Sequence, residues 1–179
     1  MSDLPNFSTT MIPLNHQQWK MLETSKQTQK NIPELIAGFI LNYEDETFWT
    51  DLWQSVCDSD RVYPVAFATI PHLIDTALSH PHVLTDDFFA FIASCEINRQ
   101  ISEENVPEEL AANYQASLSH IPHLVAQYLE EHHSYDNVIT TTGALAAIKG
   151  YAHLARMIIT VDKQAVPEIL SYYKESQTK

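Results

Sequence analysis

The segment YPVAFATIPHLI begins at Tyr63, and YQASLSHIPHLV begins at Tyr114. Twelve residues written nearly twice constrain the fold more than any other feature, because two copies of one sequence are expected to build two copies of one structural unit. The register holds throughout: Pro122 follows Pro71 by 51 residues, as Tyr114 follows Tyr63. Each copy also places a proline where a helix ought to run uninterrupted.

Both copies carry a helical rhythm. In the first, Val62, Ala66, Ile70, Leu73 and Ala77 recur at steps of three and four; in the second, Leu110, Tyr114, Ser117, Ile121, Leu124 and Tyr128 do the same. That spacing lines up one apolar face of a helix. Before the first copy, ETFWTDLWQSVC sets Phe48, Leu52 and Val56 on one side and ends at the turn-forming DSDR. Before the second, LTDDFFAFIASCEI opens with Thr85 as N-cap and Asp86 and Asp87 in the first turn, where carboxylates favour the positive helix end. Each copy is therefore expected to be the second helix of a pair, with the IPHL segments in equivalent positions of successive hairpins. The stretch SYDNVITTTGALAAIKGYAHLARMIITVD predicts a further helix rich in small residues, and QAVPEILSYYKES a closing amphipathic one. Three glycines in 179 residues speak against a sheet-rich fold with many tight turns.

Inside a helix, Pro71 would lose its bond to the Phe67 carbonyl and crowd it, at about 3 kcal/mol unless the helix bends. A bend suits a helix leaning over its neighbour, with Ala66 and Ala68, matched by Ser117 and Ser119, small enough for close approach. Alternatively, Pro71 and Pro122 start shorter helices. NIPELI around Pro33 and AVPEIL around Pro167 echo the motif, giving intervals of 38, 51 and 45 residues that bracket the roughly 40–47 of HEAT or armadillo repeats. The stretch LWQSVCDSDRVYPVAFATIPHLI resembles the recurring unit of small bacterial HEAT-like proteins: a Leu/Trp helix, a turn, a tyrosine, small residues and Pro-x-Leu. Tyr63, Ala66, Pro71 and Leu73 match, whereas Asp58, Ser59 and Asp60 stand where that unit often has His-Gln-Gly. The resemblance implies an all-α fold, a HEAT/armadillo-like α-α superhelix of stacked hairpins over a single domain, 1–179. Some helical-repeat proteins of this size act as immunity proteins against bacterial toxins.

Charge narrows the partners. With 23 acidic against 10 basic residues the formal net charge is −13, so the summed field repels phosphate and excludes nucleic acid as the expected partner. A basic protein would be attracted. No stretch approaches the ~18 uncharged apolar residues of a membrane span, and MSDLPNFSTTMIPLNHQQW carries no basic and apolar leader pattern, which predicts a cytoplasmic protein. Cys57 and Cys95 sit singly in helical patterns, as reduced buried thiols do.

Nine histidines raise a metal question: His72, His80 and His82 lie close in sequence, as do His120 and His123, and His132 and His133. No H-E-x-x-H or cysteine-paired spacing accompanies them, so no metal or other cofactor is expected. His72 and His123 follow the repeat prolines, which suggests a packing or capping duty, such as donating to a carbonyl freed by the kink. No G-x-S-x-G elbow or phosphate loop is present. The expected function is therefore that of an acidic, non-enzymatic helical-repeat protein that binds and blocks a basic toxin domain of nuclease type. Asp58, Asp60, Asp86, Asp87, Glu103 and Glu104 would pair with the toxin's Lys and Arg, and Tyr63 would serve as an aromatic anchor. The alternative is a small hydrolase with a His/carboxylate site in the concave groove. Binding to a basic partner should weaken with salt and with acidification, since protonating all nine histidines would move the formal charge from −13 to −4.

Overall fold

Side-chain caps and prolines set most of the helix starts. The computed structural model describes residues 11–25, 30–58 and 61–161. Helix α1 (Ile32–Asn42) has Pro33 in its first turn, and α2 (Glu46–Val56) is capped by Asp45, whose carboxylate accepts from the Thr47 amide at 2.8 Å. Helix α3 (Pro64–Ser79) opens on Pro64. Thr85 caps α4 (Asp86–Ile101) by accepting from the Phe88 amide at 3.2 Å, the role its sequence position predicts. Helices α5 (Glu108–Leu118) and α6 (Ile121–Tyr128) follow, then α7 (Tyr135–Ile148), which starts with a reciprocal capping box between Ser134 and Asn137, and α8 (Ala152–Thr160). The described residues are thus predominantly helical. None of their helices is long and apolar enough to cross a membrane.

The predicted apolar stripes are the core. Val62, Ala66, Ile70, Leu73 and Ala77 are buried, as are Leu110, Tyr114, Ser117, Ile121, Leu124 and Tyr128, and Phe48, Leu52 and Val56. Helix α4 goes further and is buried on every side along much of its length: Phe88, Phe89, Phe91, Ile92, Ala93, Cys95 and Ile97 all lie in the core. A helix apolar all round belongs at the centre of a fold. Its broadest neighbours are α7 and α8, while α3 lies along α5 and α1. The segment ETFWTDLWQSVC leads into a small hairpin, β1 (Cys57–Asp58) and β2 (Arg61–Val62), which pair antiparallel on either side of the predicted turn.

Two expectations change. The small-residue stretch forms two helices, because Gly150 at φ 88° adopts the left-handed region and ends α7. The amides of Gly150 and Tyr151 bond back to the carbonyls of Ala147 and Ala146, a Schellman closure that satisfies the last turn. Glycine also allows α8 to approach α7, since a Cβ on Gly143 would lie 2.2 Å from the Ile159 side chain. The two IPHL segments also differ. Pro71 lies inside the continuous α3, as the bent-helix reading requires, but Pro122 falls in the first turn of α6, after an interruption at Ser119 and His120. Pro71 thus stands inside a helix and Pro122 at a helix start. His72 donates from Nε2 to the Ile12 carbonyl at 2.9 Å, not to a carbonyl freed by Pro71, and His123 is exposed. The echo at Pro167 and the closing helix lie outside the described residues, as does Asp60.

Candidate functional site

The ends of four segments meet around one cleft of about 680 Å³. Tyr43 and Glu44 come from the junction of α1 and α2, Pro81 and His82 from a short 3-10 turn, and Leu84, Thr85, Asp86 and Asp87 from the start of α4. Gln127 and Tyr128 from the end of α6, with Glu130, Glu131 and His132 beyond it, close the other wall. Five of these residues are carboxylates and none is Lys or Arg.

A hydrogen-bonded corner fixes one side of the cleft. The Asp86 carboxylate accepts from the Tyr128 hydroxyl at 3.2 Å and from the Asn137 side-chain amide at 2.8 Å, and Asn137 also donates to the Tyr128 oxygen at 3.1 Å. The capping box at the start of α7 holds Asn137 in this pose. His132 lies flat on the Tyr128 ring, centroids 4.2 Å apart, with its Nδ1–H donating to the Tyr128 carbonyl at 3.0 Å. Burial, together with the charge and hydrogen bond of Asp86, pushes the Tyr128 hydroxyl up to about 12, so it remains a donor at neutral pH. His82 meets Tyr43 edge-on at 5.6 Å on the opposite wall.

The charges around this cleft do not all serve the helices that carry them. Asp86 and Asp87 sit at the positive end of α4, where the dipole stabilises each by about 0.3–1 kcal/mol. Glu130 and Glu131 follow the carboxyl end of α6, where the same dipole opposes negative charge, while Glu44 lies between the carboxyl end of α1 and the amino end of α2, whose dipoles offset one another there. Partial burial and the neighbouring charges of Asp86 and Glu46 push the Asp87 carboxyl above its usual range. The cleft therefore concentrates repulsion that a cationic side chain would relieve.

The residues singled out from sequence separate into two groups. Asp86 and Asp87 line the cleft. Glu103 and Glu104 follow the far end of α4, about 24 Å away at 1.5 Å per residue, and Glu104 faces Arg61 of the hairpin at 3.8 Å. Glu103 is exposed at φ 54°. Asp58 is in β1, paired with Arg61 through the backbone, on the hairpin that Arg61 joins to the Glu103–Glu104 end. Tyr63 is only 7% exposed at the start of α3, with the Arg61 guanidinium 4.7 Å above its ring. It packs inward, where the sequence reading expected an aromatic anchor for a partner. Among the described residues, no three His, Cys, Asp or Glu side chains are arranged to hold a metal ion.

Comparison with protein-family models, curated proteins and solved structures finds no match to this chain.

Sequence reasoning missed Glu44, Glu130, Glu131 and His132 as cleft residues, although Tyr128 and His132 stand four apart. It also missed a second polar centre. Glu96, 2% exposed in α4, accepts two bonds from Arg99 at 2.8 and 3.0 Å, one from Gln100 at 2.9 Å and one from the Tyr114 hydroxyl at 2.6 Å. Burial alone pushes the Glu96 carboxyl up, but the Arg99, Tyr114 and Gln100 bonds outweigh it and hold the group below the usual carboxylate range. Gln100 also donates to the Ala147 carbonyl, so this network ties α4 to α5 and α7. Glu96 does not line the cleft, and its partners define a structural role.

Proposed function

We propose that the protein binds a basic partner protein through the acidic cleft, and that it thereby blocks that partner in the manner of an immunity protein against a toxin of nuclease type. The observation that carries this reading is five carboxylates around one cleft without a lining Lys or Arg, two of them beyond a helix carboxyl end, where the dipole opposes them. Charge kept at a stability cost is a sign of function. A toxin that neutralises phosphate with Lys and Arg carries the complementary surface, and filling the cleft with those side chains would deny them to its substrate. The Tyr128–His132 stack offers a flat face on which a guanidinium can lie. The scaffold reading that accompanies this proposal, a HEAT-like superhelix, rests on the duplicated segment and its resemblance to such units.

The test uses the full chain as bait in an extract of its native host, beside the variant Asp87→Asn/Glu130→Gln/Glu131→Gln. The reading expects a basic protein retained by the wild type, lost with the variant and eluted by moderate salt, whose activity falls when purified wild-type chain is added. A captured protein held equally by both baits would place the interface elsewhere.

A further inference from the structure

Cys57 and Cys95 are 38 positions apart in sequence, yet their Sγ atoms lie 3.8 Å apart. Two different elements hold them there. Cys57 begins β1 and caps α2, its backbone paired with Val62, and Cys95 lies in the middle of α4. Cys95 is fully buried, whereas Cys57 keeps 8% exposure. Both are free thiols. A disulfide needs about 2.05 Å between sulfurs, so the pair must close by roughly 1.8 Å.

We propose that Cys57 and Cys95 are an oxidative modification site, forming a reversible intramolecular disulfide when the protein meets a peroxide. Cys57, the more exposed residue, reacts first: its thiolate attacks a peroxide oxygen, the O–O bond breaks, and Cys57 becomes a sulfenic acid as hydroxide leaves and takes up a proton. The Cys95 sulfur then attacks the Cys57 sulfur. The S–O bond breaks, the S–S bond forms, and the departing oxygen leaves as water with the Cys95 proton. Two thiols are oxidised and one hydrogen peroxide is reduced to two waters. A dithiol reverses the change by exchange. The hydrogen bond with Cys57, then burial and the nearby Glu96 charge, push the Cys95 thiol well above its ordinary range, which disfavours its thiolate and leaves the first step to Cys57.

The bond would lock the hairpin and the end of α2 to the central helix. Because it closes a long loop, it restricts the unfolded chain and raises thermal stability. Arg61 on that hairpin reaches Glu23 at 3.2 Å and Glu104 at 3.8 Å, so the locked region includes the acidic end of α4 opposite the cleft. This inference is independent of the proposed partner.

The full chain, reduced and freed of reductant, is treated with one equivalent of hydrogen peroxide and its intact mass measured without reduction. We expect the loss of two hydrogens, a linked peptide pair containing Cys57 and Cys95, a melting temperature several degrees higher, and reversal of all three by dithiothreitol. In Cys95→Ser the reaction should stop at a Cys57 sulfenic acid that dimedone traps, and in Cys57→Ser the Cys95 thiol should resist peroxide. The proposal is overturned if excess peroxide adds oxygen to the folded wild type without removing two hydrogens, if the linkage joins two chains, or if the folded wild type leaves both thiols unmodified. The wild-type result stands whether or not the variants fold.

Discussion

Pro71 lies midway along a continuous buried helix, whereas Pro122 opens a short helix with its ring exposed, although both sit in the sequence Ile-Pro-His-Leu. The residues just before them differ. In the first copy Ala68 and Thr69 precede Ile70, and the buried Thr69 hydroxyl donates to the Val65 carbonyl at 2.8 Å within the helix. In the second copy Ser119 and His120 take those places. The Ser119 hydroxyl donates to the Ala116 carbonyl at 2.6 Å, and the His120 amide bonds the Ser117 carbonyl at 3.0 Å, three residues back. The turn tightens, the helix restarts, and Pro122 lands where its missing N–H would have had no partner anyway. Pro71 has no such relief, and its helix is held instead by α1, α5 and the contact of His72 with the Ile12 carbonyl. Twelve similar residues thus fix which face is buried, while two polar substitutions and the surroundings decide the course of the backbone.

The tyrosines that open the two copies sharpen this comparison most strongly. Tyr114 donates to the buried Glu96, whereas Tyr63 only carries Arg61 on its ring. Replacing Glu96 with Ala should cost about 3 kcal/mol in urea denaturation, the low end for breaking a buried pair because Arg99 is partly solvated. Tyr114→Phe should cost about 1–3 kcal/mol by leaving Glu96 under-satisfied, whereas Tyr63→Phe should stay within about 0.5 kcal/mol. Equal losses at the two tyrosines would erase the distinction.

Acid provides a second view of the same network. The Glu96 carboxyl is held below its unfolded value, near ~4.3, so its contribution is complete above that pH and is lost as pH falls through the lower folded value. The stability difference between wild type and Glu96→Gln should therefore be full at pH 6 and shrink below about pH 4. A difference independent of pH would mean that Glu96 is not ionised in the fold.

The prolines give the smallest effect. Pro71→Ala relieves the interior-proline penalty of about 3 kcal/mol but removes two buried ring carbons at about 0.8 kcal/mol each, for a net gain of about 1 kcal/mol. Pro122→Ala should change stability by no more than a few tenths, because the position is exposed and in a first helical turn. An equal or larger gain at Pro122 than at Pro71 would reverse the assignment of the two copies.

Much of the fold was legible because short-range rules decide it. Thr85 caps α4, and the stripes at Val62–Ala77 and Leu110–Tyr128 face the core, since spacing alone sets which side of a helix is apolar. Gly150 was a readable stop signal inside the small-residue stretch. The hairpin was not readable, because two-residue strands present no alternation and depend on the tertiary placement of Cys57 and Val62. Half of the cleft was visible as Asp86 and Asp87 at a helix start. Its other half, Glu44, Glu130 and Glu131, joins them only when the α1–α2 junction and the end of α6 meet across the fold. That Tyr63 turns inward was not readable, because an aromatic at a helix start gives no sign of its direction.

The most direct test of the cleft as the binding surface is amide chemical-shift mapping of the full chain titrated with an arginine-rich peptide at two salt concentrations. The account expects shifts concentrated at Glu44, Asp86, Asp87, Gln127 and Glu130–His132, diminished by salt and absent in Asp87→Asn/Glu130→Gln/Glu131→Gln. Shifts spread evenly over the acidic surface, or centred on Glu103 and Glu104 at the far end of α4, would contradict it.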